Sequence, residues 1–218
     1  KVIDNGYLVF VDGLIHALGT GAPEMDEYTD SIDANGGLVT PGLINCHTHA
    51  PMSLFRGLGD DEPDRLKRFI FPLEAKYVSP EFVRTGTALS CVEMLLGGTT
   101  CFADMYFFEE EVAATASELG IRVLAGQTLM NGATPDAATI EDAFTRAVNF
   151  CEDWNSDDLV TPCLAPHAPY SLDTKQLKHV KNVANNLGVK IQMHVAESQF
   201  EIQHLQKINQ PSSIKYLD

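Results

Sequence analysis

From residue 38 onward, short apolar segments alternate with stretches of helical periodicity, and this alternation constrains the fold more than any other feature of the chain. The five segments that we predict to be strands are residues 38–45, 99–105, 122–128, 159–166 and 190–196. A helical stretch follows each of them, an order typical of βαβ units around a parallel sheet. From the second segment to the fifth the spacing averages about 30 residues, the length of one unit in a TIM-type (β/α)8 barrel.

Local signals support the helices between these strands. Ser79 is followed by proline, the usual N-cap arrangement, and Thr139 with Asp142 three residues later resembles a capping box. Gly120 and Gly188 each stand directly before a predicted strand, where a glycine commonly ends a helix. The α/β order is therefore encoded locally at both ends of several helices.

The first 38 residues have a different pattern. Two short apolar segments flank Asp12-Gly13, and this dipeptide between apolar segments predicts a β-hairpin. The segment is too short to bury a core of its own. We therefore divide the chain into N-terminal strands at 1–38 and a second domain at 39–218.

Periodicity alone does not separate a barrel from a doubly wound sheet, because five βα units fit both. His49, His167 and His194 fall near the carboxyl ends of three different predicted strands, where barrel enzymes build their active sites. This placement favours the barrel. A complete barrel takes ~250 residues, so we expect residues 39–218 to form the N-terminal half of a barrel within a longer chain.

Composition excludes several classes of partner. The 218 residues include 30 acidic and 15 basic side chains, a formal net charge of −15, which repels nucleic acids and anionic membrane surfaces. No segment reaches the ~18 apolar residues of a membrane helix, and the N-terminus lacks the pattern of a signal peptide, so we expect a cytoplasmic protein. The five cysteines are odd in number and widely spaced, which argues against a disulfide framework.

The first candidate metal ligands are His47 and His49. Residues i and i+2 of a strand project to the same side, so one ion could bind both imidazoles. A pair of this spacing also occurs by chance in a chain with seven histidines. The alternative is two polar residues at a strand end that are hydrogen-bonded to nearby carbonyl groups.

The second candidate group is His194 with Glu197, three residues later. A third imidazole from another strand would complete a three-histidine set of the kind that holds a catalytic zinc ion, with a further position open to water. A carboxylate that is not a ligand can then act as general acid and base. Taken alone, His194 is also compatible with an ordinary strand-end histidine.

The third candidate is His167, which stands between two prolines in APHAPYS. The restricted backbone would hold its ring steady over a pocket. The alternative is a turn histidine bonded to the backbone. The remaining histidines, His16, His179 and His204, have no partner pattern and are predicted to lie on the surface.

Five motifs in the same order resemble the amidohydrolase superfamily, in particular its branch of 5-methylthioadenosine/S-adenosylhomocysteine deaminases and the related chlorohydrolases. They are PGLINCHTHAPMSLFRGLGDD, FPLEAKYV, GGTTCFADMYF, APHAPYS and QMHVAES, and the similarity covers nearly the whole chain. The resemblance implies a metal-dependent barrel, and it implies that residues 1–38 belong to a small composite β-sandwich.

The resemblance also implies roles for individual residues. His47, His49 and His194 match the metal ligands, Glu197 matches the proton shuttle, and Glu74 matches the glutamate that binds the ribose hydroxyls. His167 matches a substrate-contacting histidine. The family's further histidine after the sixth strand and aspartate after the eighth have no counterpart in these residues. The implied cofactor is one divalent ion, with Zn²⁺ first and Fe²⁺ or Mn²⁺ as alternatives.

Two departures from the family pattern concern the substrate. Where members that take S-adenosylhomocysteine often carry an arginine for its carboxylate, this chain has Gln127, and a neutral amide cannot form the charged bidentate pair. We therefore expect a substrate without a carboxylate, such as methylthioadenosine or adenosine. The loop at 59–69 is also shorter than in the family, so either the pocket has a different shape or part of the loop is absent from these residues.

Three functions remain open on the sequence. The first is hydrolytic deamination of an adenine nucleoside. The second keeps the site but acts on a chlorinated ring or another aminoheterocycle, such as guanine, a pyrimidine or a triazine. The third is an inactive half-barrel. By analogy with the family, we also expect a homo-oligomer.

Overall fold

The computed structural model describes residues 2–23, 30–62 and 65–218. The chain divides into two units, Lys1–Pro41 and Gly42–Asp218. Residues 63 and 64 of the loop that the sequence predicts to be shortened lie outside the described residues. Within the described part, no helix combines the length and the apolar character that crossing a membrane requires.

The first unit contains an antiparallel hairpin of β1 (Gly6–Val11) and β2 (Leu14–Thr20). Asp12 and Gly13 connect the strands with φ angles of 50° and 77°, as a two-residue turn of type I′ requires. The predicted hairpin is therefore confirmed. Its assignment to a composite β-sandwich, and the domain boundary at residue 38, stay predictions.

The second unit is built on a five-stranded parallel sheet. Its strands are β3 (Leu43–Thr48), β4 (Thr99–Tyr106), β5 (Arg122–Leu129), β6 (Val160–Pro166) and β7 (Lys190–Ile191). They are hydrogen-bonded in the order β3-β4-β5-β6-β7, each beside its neighbour in the chain. A doubly wound sheet reverses direction at a switch point, whereas this order proceeds one way, as in a (β/α)8 barrel. The predicted fold class is confirmed, with five βα units.

Helices follow the strands as the alternation predicts. They are α1 (Phe71–Tyr77), α2 (Pro80–Leu96), α3 (Glu109–Leu119), α4 (Ile140–Trp154), α5 (Thr174–Leu187), α6 (Gln199–Lys207) and α7 (Ser213–Leu217). A 3-10 helix (Ala50–Phe55) and a π-helix (Leu66–Ile70) precede α1.

The predicted helix ends are confirmed. The Ser79 hydroxyl accepts a hydrogen bond from the Phe82 amide at 3.2 Å, and Thr139 forms a reciprocal capping box with Asp142. Gly120 and Gly188 end α3 and α5 with left-handed φ angles of 75° and 70°, a conformation that costs glycine little.

Two strand predictions need correction. The strand predicted at 38–45 begins only at Leu43, because Pro41 has no amide hydrogen to donate to a ladder, and it continues to Thr48. The strand predicted at 190–196 is limited to Lys190–Ile191. Within the described chain this segment pairs with β6 alone, and only through Lys190 and Ile191. His194 therefore follows a strand rather than belonging to one.

The core lies between the sheet and the helices α2 to α5. The strands contribute large side chains such as Phe102 and Leu164, both fully buried. The helices contribute small ones, including Ala113 and Ala147, which let the helices approach the sheet closely. All five cysteines are free thiols. Three of them, Cys91, Cys151 and Cys163, are buried, whereas Cys101 is partly buried and Cys46 is exposed.

Candidate metal centre and active site

Three histidines meet at the carboxyl end of the sheet. His47 lies within β3, His49 follows the last residue of that strand, and His194 lies three residues beyond β7. The Nε2 atom of His194 is 3.2 Å from the Nε2 atoms of both His47 and His49. All three ligand atoms lie within 4.8 Å of one another. The structure thus brings together the three residues that the sequence singles out as metal ligands.

The hydrogen bonds of two rings fix their tautomers. His49 Nδ1 is 2.6 Å from the carbonyl oxygen of Met105, and His194 Nδ1 is 2.9 Å from that of His167. A carbonyl group only accepts, so each Nδ1 carries the proton and each Nε2 keeps a lone pair. Burial lowers the pKa of His49, which also favours the neutral ring. Two lone pairs therefore face each other at 3.2 Å.

This arrangement of nitrogen lone pairs favours a bound cation. Two facing lone pairs repel each other unless a positive charge lies between them. Imidazole nitrogens on one tetrahedral zinc ion, at Zn–N distances of about 2.0–2.1 Å, are separated by about 3.3 Å. The observed separations of 3.2 Å agree with that value. His47, His49 and His194 could therefore hold one divalent ion.

Asp104 of β4 fastens the segment that carries His47 and His49. This fully buried carboxylate accepts hydrogen bonds through Oδ1 from the Ala50 amide, at 2.6 Å, and from the Thr48 hydroxyl. Burial raises the pKa of Asp104 to about 7, and these two bonds oppose the rise. Asp104 is not one of the three candidate ligands. It holds the Thr48 side chain and the Ala50 backbone, which lie on either side of His49.

β4 also anchors the segment before His194. The side-chain amide of Gln192 donates a hydrogen bond to the carbonyl oxygen of Asp104 in β4. Beyond β6, the carbonyl oxygen of His167 accepts a second hydrogen bond, from the backbone amide of His194 at 3.1 Å. Gln192 reaches Asp104 across Gly126 of β5, where a Cβ atom would collide with the Gln192 amide. The glycine is therefore required by this close approach.

His167 lies beside the three-histidine cluster. It directly follows β6, its ring centroid is 5.0 Å from that of His194, and its Nδ1 is 3.0 Å from the Ser171 hydroxyl. Burial, followed by the neighbouring histidines, lowers the pKa of His167 to about 4. The ring is thus a neutral hydrogen-bonding group at the edge of the cluster.

Glu74 does not contact the cluster directly. It is buried on α1, and burial raises its pKa to about 7. The phenol of Tyr106 faces this carboxyl group and moderates the rise, while the ring of Tyr106 lies 6.4 Å from that of His49, centroid to centroid. Tyr106 therefore lies near both Glu74 and the candidate ligand His49.

Glu197 lies in the turn between β7 and α6 and is exposed. Its charge acts on His49, whose pKa it raises against the larger effect of burial. The residue before it, Ala196, has a left-handed φ of 59°. The candidate proton shuttle thus stands next to the cluster on an unusual turn.

Gln127 of β5 is the residue that the resemblance matches to an arginine of some family members. It is fully buried, and its side-chain amide donates to Asp136 at 2.8 Å. Arg146 forms ion pairs with Asp136, at 3.4 Å, and with Glu110. Both groups that could have received an anion are therefore engaged with acidic side chains.

The other three histidines are only partly as predicted. His16 and His179 are exposed, whereas His204 is half-buried, with its ring centroid 6.4 Å from that of Tyr170. The prediction that His204 lies on the surface was wrong, because α6 turns this residue toward Tyr170.

Sequence reasoning missed several residues that support the site. They share hydrogen bonds or ring contacts with the candidate residues, and they are Asp104, Tyr106, Ser171, Gln192 and Glu201. Asp104 gives a signal in the sequence as a charged residue inside the apolar segment TTCFADMYF, and Tyr106, Ser171 and Gln192 lie inside the motifs quoted above.

Comparisons with known proteins agree with this geometry. The model of the amidohydrolase family matches residues 38–213. The 5-methylthioadenosine/S-adenosylhomocysteine deaminase of Thermodesulfovibrio yellowstonii is 42% identical over 100% of this chain and 51% of its own length. The 5'-deoxyadenosine deaminase of Methanopyrus kandleri is 38% identical over 99% of the chain and 51% of its own length.

A solved structure is similar to this chain in both sequence and fold. The adenosine deaminase of Xanthomonas campestris, which has bound zinc, is 37% identical with a TM-score of 0.79, over 82% of this chain and 41% of that one. The chain thus spans about half the length of the curated relatives it matches. On the family model and the fold together, the chain belongs to the amidohydrolase family.

Proposed function

We propose that the protein containing this chain is a metal-dependent hydrolase that deaminates an adenine nucleoside, giving the inosine analogue and ammonia. The observation that carries this proposal is the convergence of three imidazole nitrogens, two of them with lone pairs fixed toward the centre by carbonyl hydrogen bonds. The deaminase names of the relatives support the same reaction.

His47, His49 and His194 would hold the ion. Zn²⁺ is our first choice because neutral imidazoles suit it and because the similar adenosine deaminase of Xanthomonas campestris has bound zinc; Fe²⁺ and Mn²⁺ are the alternatives. Such an ion, when bound, lowers the pKa of a coordinated water molecule to ~7 and so supplies a nucleophile near neutral pH.

Glu197 moves the protons. Its carboxylate accepts one proton from the attacking water and delivers it to ring nitrogen N1 as the C6–O bond forms. It then takes the remaining proton of the C6 hydroxyl group and delivers it to the amino group, so that the C6–N bond breaks, ammonia leaves and the C6 carbonyl of the inosine analogue remains. The exposed position of Glu197 beside the ligand His49 supports this role. A general acid and base of this kind contributes roughly 10²- to 10⁴-fold to the rate.

Glu74 and His167 bind the substrate. As a carboxylate, Glu74 would accept hydrogen bonds from the two ribose hydroxyl groups, and its position near Tyr106, whose ring neighbours that of His49, supports this role. His167 would contact the substrate as a neutral imidazole beside His194.

The substrate class that we favour is a nucleoside without a carboxylate. Gln127 is neutral and bonded to Asp136, and Arg146 is already paired with acidic side chains. These contacts leave neither group to receive the carboxylate of S-adenosylhomocysteine. Methylthioadenosine and adenosine are the expected substrates.

Ammonia release from the complete protein containing this chain tests the reaction. We expect turnover of adenosine and methylthioadenosine, with weaker turnover of S-adenosylhomocysteine. Glu197→Gln lowers kcat by roughly 10²-fold or more, whereas the matched change Glu118→Gln, at an exposed position on α3, does not. Turnover of guanine or a chlorotriazine without turnover of any adenine nucleoside would contradict the proposal. The cytoplasmic location and the homo-oligomer stay predictions.

A further inference from the structure

We propose that Glu201 is a positioning residue for Glu197, because it holds the left-handed turn at Ala196 and thereby fixes the direction of the Glu197 side chain. This inference rests on the proposed function, in which Glu197 moves the protons. Glu201 itself is not expected to touch the substrate.

Glu201 binds the turn through both of its oxygens. From the first turn of α6, its Oε1 accepts a hydrogen bond from the Ala196 amide at 2.9 Å, and its Oε2 accepts one from the Glu197 amide at 3.0 Å. The Ser213 hydroxyl of α7 donates a third bond to Oε1. Glu201 is fully buried, so these bonds are shielded from competing water.

The turn needs this support because alanine disfavours its conformation. A φ of 59° at Ala196 places Cβ against the backbone and costs roughly 1–2 kcal/mol. Residues in such a turn point successive amide hydrogens toward one place, which is a binding site for an anion. Charge-assisted bonds from two amides to one carboxylate therefore stabilise a geometry that the local sequence does not prefer.

The titration behaviour of Glu201 agrees with this role. Burial alone would raise its pKa, but the bonds from Ser213 and from the two amides together lower the pKa below the usual value. The carboxylate is thus kept ionised in a buried position, as an anion held by three donors would be.

The hydrogen bonds on either side of the turn do not involve the Glu201 carboxylate. His194 is held by His167, through its backbone amide at 3.1 Å and its Nδ1 at 2.9 Å. At the other side, the Ser198 hydroxyl caps α6 by accepting from the Glu201 amide at 3.3 Å. Within the turn, the two peptide groups whose amides belong to Ala196 and Glu197 are the ones bound by the Glu201 carboxylate. Its loss should free Glu197 while leaving the metal ligands in place.

Glu201→Gln tests this directly, because an amide nitrogen would then oppose one of the two backbone amides. In the complete, metal-loaded protein we expect hydrogen exchange at the Ala196 and Glu197 amides to rise about tenfold or more, with β4 to β6 unchanged. We expect kcat to fall roughly 10- to 100-fold, with KM within about threefold and the metal content unchanged.

Two further variants make the test specific. Ser213→Ala removes the third bond but leaves both amide bonds, so its exchange rates and kcat should lie closer to those of the unmodified protein. Ala196→Gly added to Glu201→Gln lowers the cost of the left-handed turn, so it should recover about threefold in kcat. A merely structural role for Glu201 predicts no such recovery.

Three outcomes would overturn the proposal: unchanged exchange at both amides, a loss of kcat matched by a loss of metal, or faster exchange throughout the sheet. If Glu201→Gln does not fold, Glu201→Asp replaces it, because it keeps the charge but is too short to reach both amides, and the same pattern is expected. If the unmodified protein turns over no adenine nucleoside, the proposed function fails, and the exchange measurement still decides the role of Glu201.

Discussion

Glu74, which we propose to bind the substrate, has a cost to stability. Burial raises its pKa from the usual 4.5 to about 7, so the folded protein holds this proton more tightly than the unfolded chain does. Stability therefore falls as the pH rises from about 4.5 to about 7, because the unfolded chain releases the proton first. At about 1.4 kcal/mol per pKa unit, the cost above neutral pH is about 3 kcal/mol at most.

Glu74→Gln removes this penalty. We expect the variant to gain about 1–3 kcal/mol in unfolding free energy relative to the unmodified protein at pH 8, and less than about 1 kcal/mol at pH 5. The ribose contacts would be weakened, so KM for the nucleoside should rise about tenfold or more. Denaturant unfolding at both pH values and steady-state kinetics measure the two effects.

The matched control is Glu118→Gln, which changes the same functional group at an exposed position on α3. If Glu74→Gln changed the unfolding free energy by the same amount at pH 5 and at pH 8, burial would not raise the pKa of Glu74. Unchanged kinetics on nucleosides would show that Glu74 does not bind the ribose.

At the scale of elements, β7 is the weakest part of the sheet, and its continuation depends on contacts made by side chains. The segment after β7 keeps its place because Gln192 crosses Gly126 of β5 and bonds to the Asp104 carbonyl of β4. His194 stands two residues further on. The position of the proposed ligand His194 thus depends on contacts of the segment after β7 with two strands, β4 and β5.

Gly126→Ala should disrupt that interaction. Its Cβ would collide with the Gln192 amide and would lie 2.8 Å from the Cβ of Ala165, so we expect a loss of about 1–3 kcal/mol in unfolding free energy. In a Gln192→Ala background part of the clash is gone, and the same change should cost about 1 kcal/mol less.

A double-mutant cycle of unfolding free energies measures this coupling. Zinc affinity provides a second measurement, since both single changes should weaken binding by loosening the His194 segment. Strictly additive costs, together with unchanged zinc affinity, would contradict the account.

At the scale of the whole molecule, the sequence predicts the order of elements well because that order is encoded locally. The Thr139–Asp142 capping box and the Asp12-Gly13 turn are read from neighbouring residues, and both form as predicted. The convergence of His47, His49 and His194 follows from the i, i+2 spacing and from the common edge at which parallel strands end.

Other features escape the sequence because they depend on distant partners. β7 is limited to the two residues that pair with β6, and apolar content does not report which residues find a partner in the ladder. Asp104 and Glu201 support the site by accepting hydrogen bonds from backbone amides, and no periodic sequence pattern predicts such contacts. Supporting residues of a site are therefore harder to predict than its ligands.

The most direct test of the central claim is the metal content and coordination of the complete protein containing this chain, before and after His194→Ala. We predict one divalent ion per chain with imidazole nitrogens at about 2.0–2.1 Å by X-ray absorption, a loss of affinity of about 100-fold or more in His194→Ala, and full retention in the control His179→Ala, at an exposed position on α5. A protein that binds no ion, or one whose affinity is the same without His194, would contradict the account.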